Sequence, residues 1–138
     1  MTMPIQDTDV WTLARTCYGE ARGEGFKGMV AVAHVVMNRV ARSGKHVAEV
    51  CQAPKQFSCW NQNDPNALVI QTLTPSQDEE PPAFLRALAA AALVLAGDMK
   101  DPTGGATHYH AEGISPTWAV GQTPSAKIGR HVFYNTVR

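Results

Sequence analysis

The chain has 138 residues, with 12 Lys and Arg balanced by 12 Asp and Glu, so its formal charge is zero while the histidines are neutral. That length suits a single domain, 1–138, which can bury roughly 70% of the surface its unfolded form exposes and needs no metal or disulfide framework merely to fold. A hydrophobic share of 44% with 17% charged residues excludes a disordered or collagen-like polymer, and the want of a Lys/Arg cluster argues against a nucleic-acid partner.

The longest apolar run, residues 87–96, is about half the ~18 residues that cross a bilayer, so a membrane-embedded chain is not expected. No basic patch followed by an apolar run occurs in residues 1–9, which points to synthesis in the cytoplasm without a secretory signal. Three cysteines, Cys17, Cys51 and Cys59, are too few for a disulfide scaffold. Cys51 and Cys59 are close enough in sequence to pair; three buried thiols are the alternative.

In chain order, residues 1–8 read as a loose N-terminal arm. Val10, Leu13, Ala14 and Cys17 then fall at helical spacing over residues 9–18, with Thr8 or Asp9 as the cap. Three glycines within residues 19–25 predict a departure from regular geometry just as the chain reaches Glu20. Residues 26–42 predict a second helix that is apolar on most sides and therefore central, ended by Ser43-Gly44. A short helix is expected over 46–51. Residues 52–82 form a long polar stretch with an aromatic knot at Phe57-Ser58-Cys59-Trp60 and room for one short element over 68–73. Residues 83–97, rich in Ala and Leu and opened by Pro81-Pro82, predict the clearest helix. A turn at 101–105 and alternation over 106–110 and 131–137 predict strands. Helices first and a small β region last make an α+β domain.

Glu20 is the first candidate for chemistry. A carboxyl at the end of an apolar helix feels the negative end of the helix dipole, Glu24 adds a further negative charge, and apolar walls would act in the same sense. A carboxyl kept protonated in this way is what a general acid requires. The alternative is a solvated glutamate paired with Arg22, which could instead hold Glu24. Cys17, one helical turn earlier, reads as buried rather than as a nucleophile. No second carboxylate stands out: Asp78-Glu79-Glu80 and Asp64 lie in polar loops, Asp98 and Asp101 flank a turn, and Glu24 is nearest in sequence.

Two histidines on a strand, His108 and His110, point to one face, and His131 could complete a zinc site, which would suit amide hydrolysis. Groove lining or core packing is the other reading. Phe57, Trp60, Tyr109, Trp118 and Tyr134 offer flat apolar faces, with Phe57 and Trp118 expected to pack. Gln56, Ser58, Tyr109 and His110, together with Thr107 and Glu24, are the substrate-binding candidates.

Tyr18-Gly19-Glu20-Ala21-Arg22-Gly23-Glu24, followed by the helix through Asn38-Arg39-Val40, resembles the opening motif of the cell wall hydrolase family typified by the catalytic domain of spore cortex-lytic enzymes (SleB-type). Further pieces follow in order: Gln56-Phe57-Ser58-Cys59-Trp60, Gly97, Asp101-Pro102-Thr103, residues 106–110, Pro116 with Trp118, and residues 128–134. The resemblance covers about residues 10–134. It implies a lysozyme-like domain that cleaves peptidoglycan glycan strands between N-acetylmuramic acid and N-acetylglucosamine as a lytic transglycosylase, with Glu20 as acid and then base, no cofactor and no metal. With no secretory signal or wall-binding module visible, the chain resembles a phage-type endolysin, monomeric, that reaches the bacterial wall through a holin-like pore-forming partner; a bacterial enzyme in the form of a bare catalytic domain is the alternative. A muramidase using water, a zinc amidase and a non-enzymatic peptidoglycan-binding module are the alternatives. Retaining and inverting glycosidases need a second carboxylate about 5 Å or about 6.5–9.5 Å away, so the shortage of a partner for Glu20 suits a single-acid mechanism.

Overall fold

A computed structural model describes residues 7–53, 57–60 and 82–138. Helix α1 (Asp7–Ala21) runs further in both directions than its spacing predicts, so Asp7 and Thr8 belong to a helix rather than to an arm, and Gly19 and Glu20 are helical. Glycine inside a helix costs about 1 kcal/mol relative to alanine. Here the face formed by Leu13, Ala14, Cys17, Tyr18 and Ala21 is buried and carries the helix one turn further. The departure from regular geometry comes at residues 22–24.

Helix α2 (Gly25–Ser43) is the central element: Gly28 to Ala33, Val35 and Val36 are all buried. It stops where Gly44 takes a left-handed conformation (φ 72°) and its N–H donates to Val40 O at 2.8 Å. Helix α3 (Val47–Gln52) follows, and the Glu49 carboxylate accepts the His46 N–H at its start. Ser58–Trp60 form one 3-10 turn. Helix α4 (Pro82–Leu95) buries Phe84, Ala87, Ala90, Ala91 and Val94 against α1 and α2, and Phe84 meets Tyr18 edge to face at 5.8 Å. The piece expected at 68–73 lies outside the described residues.

The C-terminal third is a three-stranded antiparallel sheet in the order β1-β3-β2, from β1 (His108–Ala111), β2 (Ala126–Ile128) and β3 (His131–Tyr134). A 3-10 turn at Thr117–Ala119 lies between β1 and β2. Strand β2 has no counterpart among the predicted elements, because three residues, Ala-Lys-Ile, carry too little alternation to register. The pairing sets which side chains share a face. His108 lies opposite Tyr134 and His110 opposite Val132, on one side; Tyr109 lies opposite Phe133 and Ala111 opposite His131, on the other. The Tyr109 side is the inner one: Phe133 and Ile128 pack with Ala31 and Val35 of α2. Among the described residues no helix is long and apolar enough to cross a membrane. The architecture is α+β, mainly helical with a small sheet.

All three cysteines are buried and none is in a disulfide, so Cys51 and Cys59 are not bridged. Burial pushes the Cys17 thiol well above its ordinary value and Cys51 up to about 12. Neither is an activated nucleophile.

Candidate functional site

Glu20 sits in the last turn of α1, partly buried. Thr16, one turn earlier on the same face, donates its hydroxyl to Thr12 O at 2.9 Å and accepts the Trp60 indole N–H at 2.8 Å. That indole bond pins the 3-10 turn against α1, and the pinned turn brings the Cys59 backbone N–H to Glu20 Oε2 at 3.1 Å. The other oxygen, Oε1, accepts a short hydrogen bond from the Tyr109 hydroxyl, which reaches it from the inner face of β1. Each carboxylate oxygen is therefore held by a donor from a segment remote in sequence. The surroundings of this carboxyl, expected to be apolar, thus include a pair of hydrogen-bond donors.

Tyr109 stays a phenol, since burial and then the neighbouring Glu20 charge push its pKa well above the ordinary tyrosine range. Its ring is enclosed by Phe133 at 5.4 Å, His131 at 4.9 Å and Phe57 at 6.5 Å between centroids. Phe57 is buried, as its expected packing role requires, and carries the Arg39 guanidinium 4.8 Å from its ring. His131 is buried on the same side, and its Nδ1 has no hydrogen-bond partner among the described residues. Burial lowers its pKa, against the opposing pull of Glu24 and Glu20, so the ring is neutral near pH 7.

Glu24 is placed four residues on, at the end of the turn and directly before α2. Its side chain is 13% exposed and is met by Arg130, whose backbone N–H donates to Oε2 at 3.3 Å and whose Nε lies 3.4 Å from Oε1. Two glycines make room for it. A methyl at Gly28 would overlap the Glu24 Cβ, and one at Gly129, where φ is +58°, would overlap the carboxylate. Arg22, expected to hold Glu24, instead lies over the Tyr18 ring at 5.2 Å.

The remaining candidates divide. His110 is on the outer face of the sheet: its Nδ1–H donates to Ala111 O and its Nε2 accepts the Tyr134 hydroxyl, both at 2.8 Å, and Trp118 packs edge-on against His110 and Tyr134. It does not join Glu20, because β-strand alternation puts it on the side opposite Tyr109. Thr107 is buried and its hydroxyl is engaged with Arg42 and His108 rather than with Glu20. Gln56 and the Ser58 side chain lie outside the described residues. The same alternation separates His131 from His108 and His110, so the three histidines do not converge. Among the described residues no group of three His, Cys, Asp or Glu could hold a metal ion.

Asp101 is a turn residue. It accepts Thr103 N–H at 2.8 Å, Thr103 Oγ1–H at 2.6 Å, Gly105 N–H at 3.1 Å and Asn38 Nδ2–H at 3.0 Å. Burial raises its carboxyl, but these bonds outweigh it and hold the pKa below the usual carboxylate range. Asp64 and Asp78-Glu79-Glu80 lie outside the described residues. The groups that residue types alone do not flag are the Cys59 N–H, the Trp60 indole pin and the Arg130 partner of Glu24. The first is a backbone group with no side-chain signal; the last two are contacts between distant segments.

The chain matches the Cell Wall Hydrolase family over residues 23–134, a span that opens three residues after Glu20. It is similar to the spore cortex-lytic enzyme of Halalkalibacterium halodurans, 31% identical over 94% of this chain and 35% of that protein. The spore cortex-lytic enzyme of Bacillus cereus is 30% identical over 91% of this chain and 43% of its own length. The chain thus spans about two-fifths of the length of these curated relatives. Among solved structures, the catalytic domain of the Bacillus cereus SleB protein superposes with a TM-score of 0.76 at 29% identity, covering 97% of this chain and 94% of that one. The catalytic domain of the germination-specific lytic transglycosylase SleB from Bacillus anthracis gives 0.74 at 29%, covering 97% and 99%. With the family matched over most of its length and the solved catalytic domains covering 97% of it, the chain belongs to the Cell Wall Hydrolase family and has the fold of a SleB-type catalytic domain.

Proposed function

We propose that the chain cleaves peptidoglycan glycan strands between N-acetylmuramic acid and N-acetylglucosamine as a lytic transglycosylase, with Glu20 as the single acid and base. The observation that carries this reading is the Glu20 carboxyl, with one oxygen held by the Tyr109 hydroxyl and the other by the Cys59 N–H, inside a fold shared with a lytic transglycosylase domain. A carboxyl oxygen has two lone pairs, so one that accepts a hydrogen bond can also carry the reacting proton. The protonated carboxyl gives its proton to the glycosidic oxygen as the bond to C1 of the muramic acid breaks. The carboxylate left behind takes the proton of the muramic 6-hydroxyl as that oxygen closes on C1. The product is a 1,6-anhydro ring, no water is consumed, and Glu20 ends protonated.

The two donors fix where the carboxyl points, and orientation of this kind supplies much of a catalytic group's effectiveness. Glu24, tied to Arg130 in a seat cleared by two glycines, is assigned to shaping the turn beside Glu20 and the substrate surface there. No step in this scheme uses a cofactor. We place the enzyme in a phage-type lytic setting, made in the cytoplasm, acting on the wall as a monomer and released to it by a holin-like pore. Lysis of cells only on co-expression with such a pore tests that setting. The reaction is tested by Glu20→Gln: fragment release from purified peptidoglycan is expected to fall by about 10²–10⁴-fold or more, and a variant within a few-fold of the parent rejects the assignment.

A further inference from the structure

Beside Arg39 the fold holds a cavity of about 280 Å³ whose described lining includes Arg39, Arg42, Lys45, Glu49, Thr107 and His108, and neither Glu20 nor Tyr109. Three of these side chains are cations and one is a carboxylate, and that carboxylate is turned to the start of α3, where it accepts the His46 N–H at 3.2 Å. Arg42 spends two donors on neutral acceptors, Thr107 Oγ1 at 3.1 Å and Val137 O at 2.7 Å, which anchor the guanidinium without cancelling its charge. The same Thr107 hydroxyl lies 2.9 Å from His108 Nδ1, so it links the Arg42 guanidinium to the imidazole. Burial and then the charges of Arg39 and Arg42 lower the His108 pKa, as a positive field in this region requires. Val50 and Ala53 complete an apolar wall, so the cavity joins apolar surface to the three cations, and guanidinium and ammonium donors are the chemistry that recognises an oxyanion.

We infer that this cavity is a binding site for a carboxylate of the stem peptide attached to the muramic acid of the glycan; the inference rests on the proposed glycan cleavage. Location selects this anion. Arg39 forms part of the cavity lining, lies 4.8 Å from the Phe57 ring, and Phe57 in turn adjoins Tyr109, whose hydroxyl is on Glu20. A muramic acid held at Glu20 carries its stem peptide on the lactyl ether at O3 of the same ring whose C1 bond is cut, and an extended peptide adds about 3.5 Å of reach per residue toward this wall. The volume falls just below the range that holds a drug-sized ligand, which suits the charged end of a chain rather than a disaccharide. A second cavity of about 380 Å³ shares Lys45 and Glu49 with the first and continues along α3 past Ala48 and Gln52, giving the rest of a peptide a path.

The test has two arms. Titrating the wild-type chain with a soluble stem tripeptide bearing free carboxylates shifts the NMR signals of Arg42, Lys45 and Thr107, whereas the tripeptide with its carboxyls amidated leaves them in place. In digests, Lys45→Glu, a change at an exposed side chain, raises KM roughly 3- to 10-fold on peptide-bearing strands. The ratio to wild type returns to about 1 on strands whose peptide carboxyls have been amidated. An equal rise in KM on both substrates overturns the assignment, as does a titration in which free and amidated tripeptides behave alike. The titration needs no bond cleavage, so a chain that binds the free tripeptide and releases no glycan fragments contradicts the glycan-cleavage reading and leaves the pocket standing.

Discussion

The two faces of the C-terminal sheet are made of the same residue types, histidine and aromatic side chains on each, and they differ in what those side chains meet. On the inner face Tyr109 reaches across to a carboxylate on α1, with His131 and Phe133 packed around its ring. On the outer face His108, His110 and Tyr134 cluster with Trp118 and bond mainly among themselves and to their own strands. The inner cluster is coupled to a carboxylate in another layer, and the outer one bonds mainly within the sheet, with His108 also lining the cavity beside Arg42. Identity of residue type therefore says little about role, and the face a residue occupies decides it.

The contrast can be broken at several points. The largest effect belongs to the carboxylate the inner face serves, and Glu20→Gln should remove about 10²–10⁴-fold or more of glycan-strand release. Tyr109→Phe keeps the ring and deletes one donor to that carboxylate. A hydrogen bond to a charged group is worth about 1.5–3 kcal/mol, so kcat/KM should fall about 10- to 100-fold, with a displaced pH profile. Gly129→Ala forces a methyl against the Glu24 carboxylate at a positive φ. Thermal or urea unfolding should show a loss of about 1–3 kcal/mol.

Smaller still is a pH effect on stability. Burial lowers the pKa of both His131 and His108 below the ordinary value of 6.5, so the unfolded chain binds these protons more readily than the folded one. Stability is then fully present above pH 6.5 and is lost as the pH falls from there through the folded values. Melting temperature should drop over that interval, and His131→Gln should flatten the drop. The smallest effect is expected on the outer face. His110→Phe exchanges one ring for another beside Tyr134 and Trp118 and should change activity by less than about twofold; a loss comparable to that of Tyr109→Phe would erase the distinction between the faces.

Much of this organisation is legible in the chain itself. The apolar spacing of α2 announces a central helix, the Ala- and Leu-rich run announces α4, and alternation around Tyr109 announces a strand. Glu20 is marked by its place at the end of an apolar helix. The parity of the histidines is not visible, because His131 is placed on the inner face by its register with Ala111, and register is fixed by pairing between segments 20 residues apart. Gly19 misleads for a similar reason, since local propensity argues for a break where burial of Tyr18 and Ala21 holds the helix together. The Cys59 N–H is least legible of all: every residue but proline has such a group, and only the Trp60–Thr16 bond aims this one.

The most direct measurement of the central claim is mass spectrometry of the fragments released from purified peptidoglycan by the wild-type chain and by Glu20→Gln. The account predicts muropeptides ending in 1,6-anhydro-muramic acid from the wild type and none above background from the variant. Hydrated reducing ends, freed stem peptides, or undiminished anhydro products from the variant would contradict it.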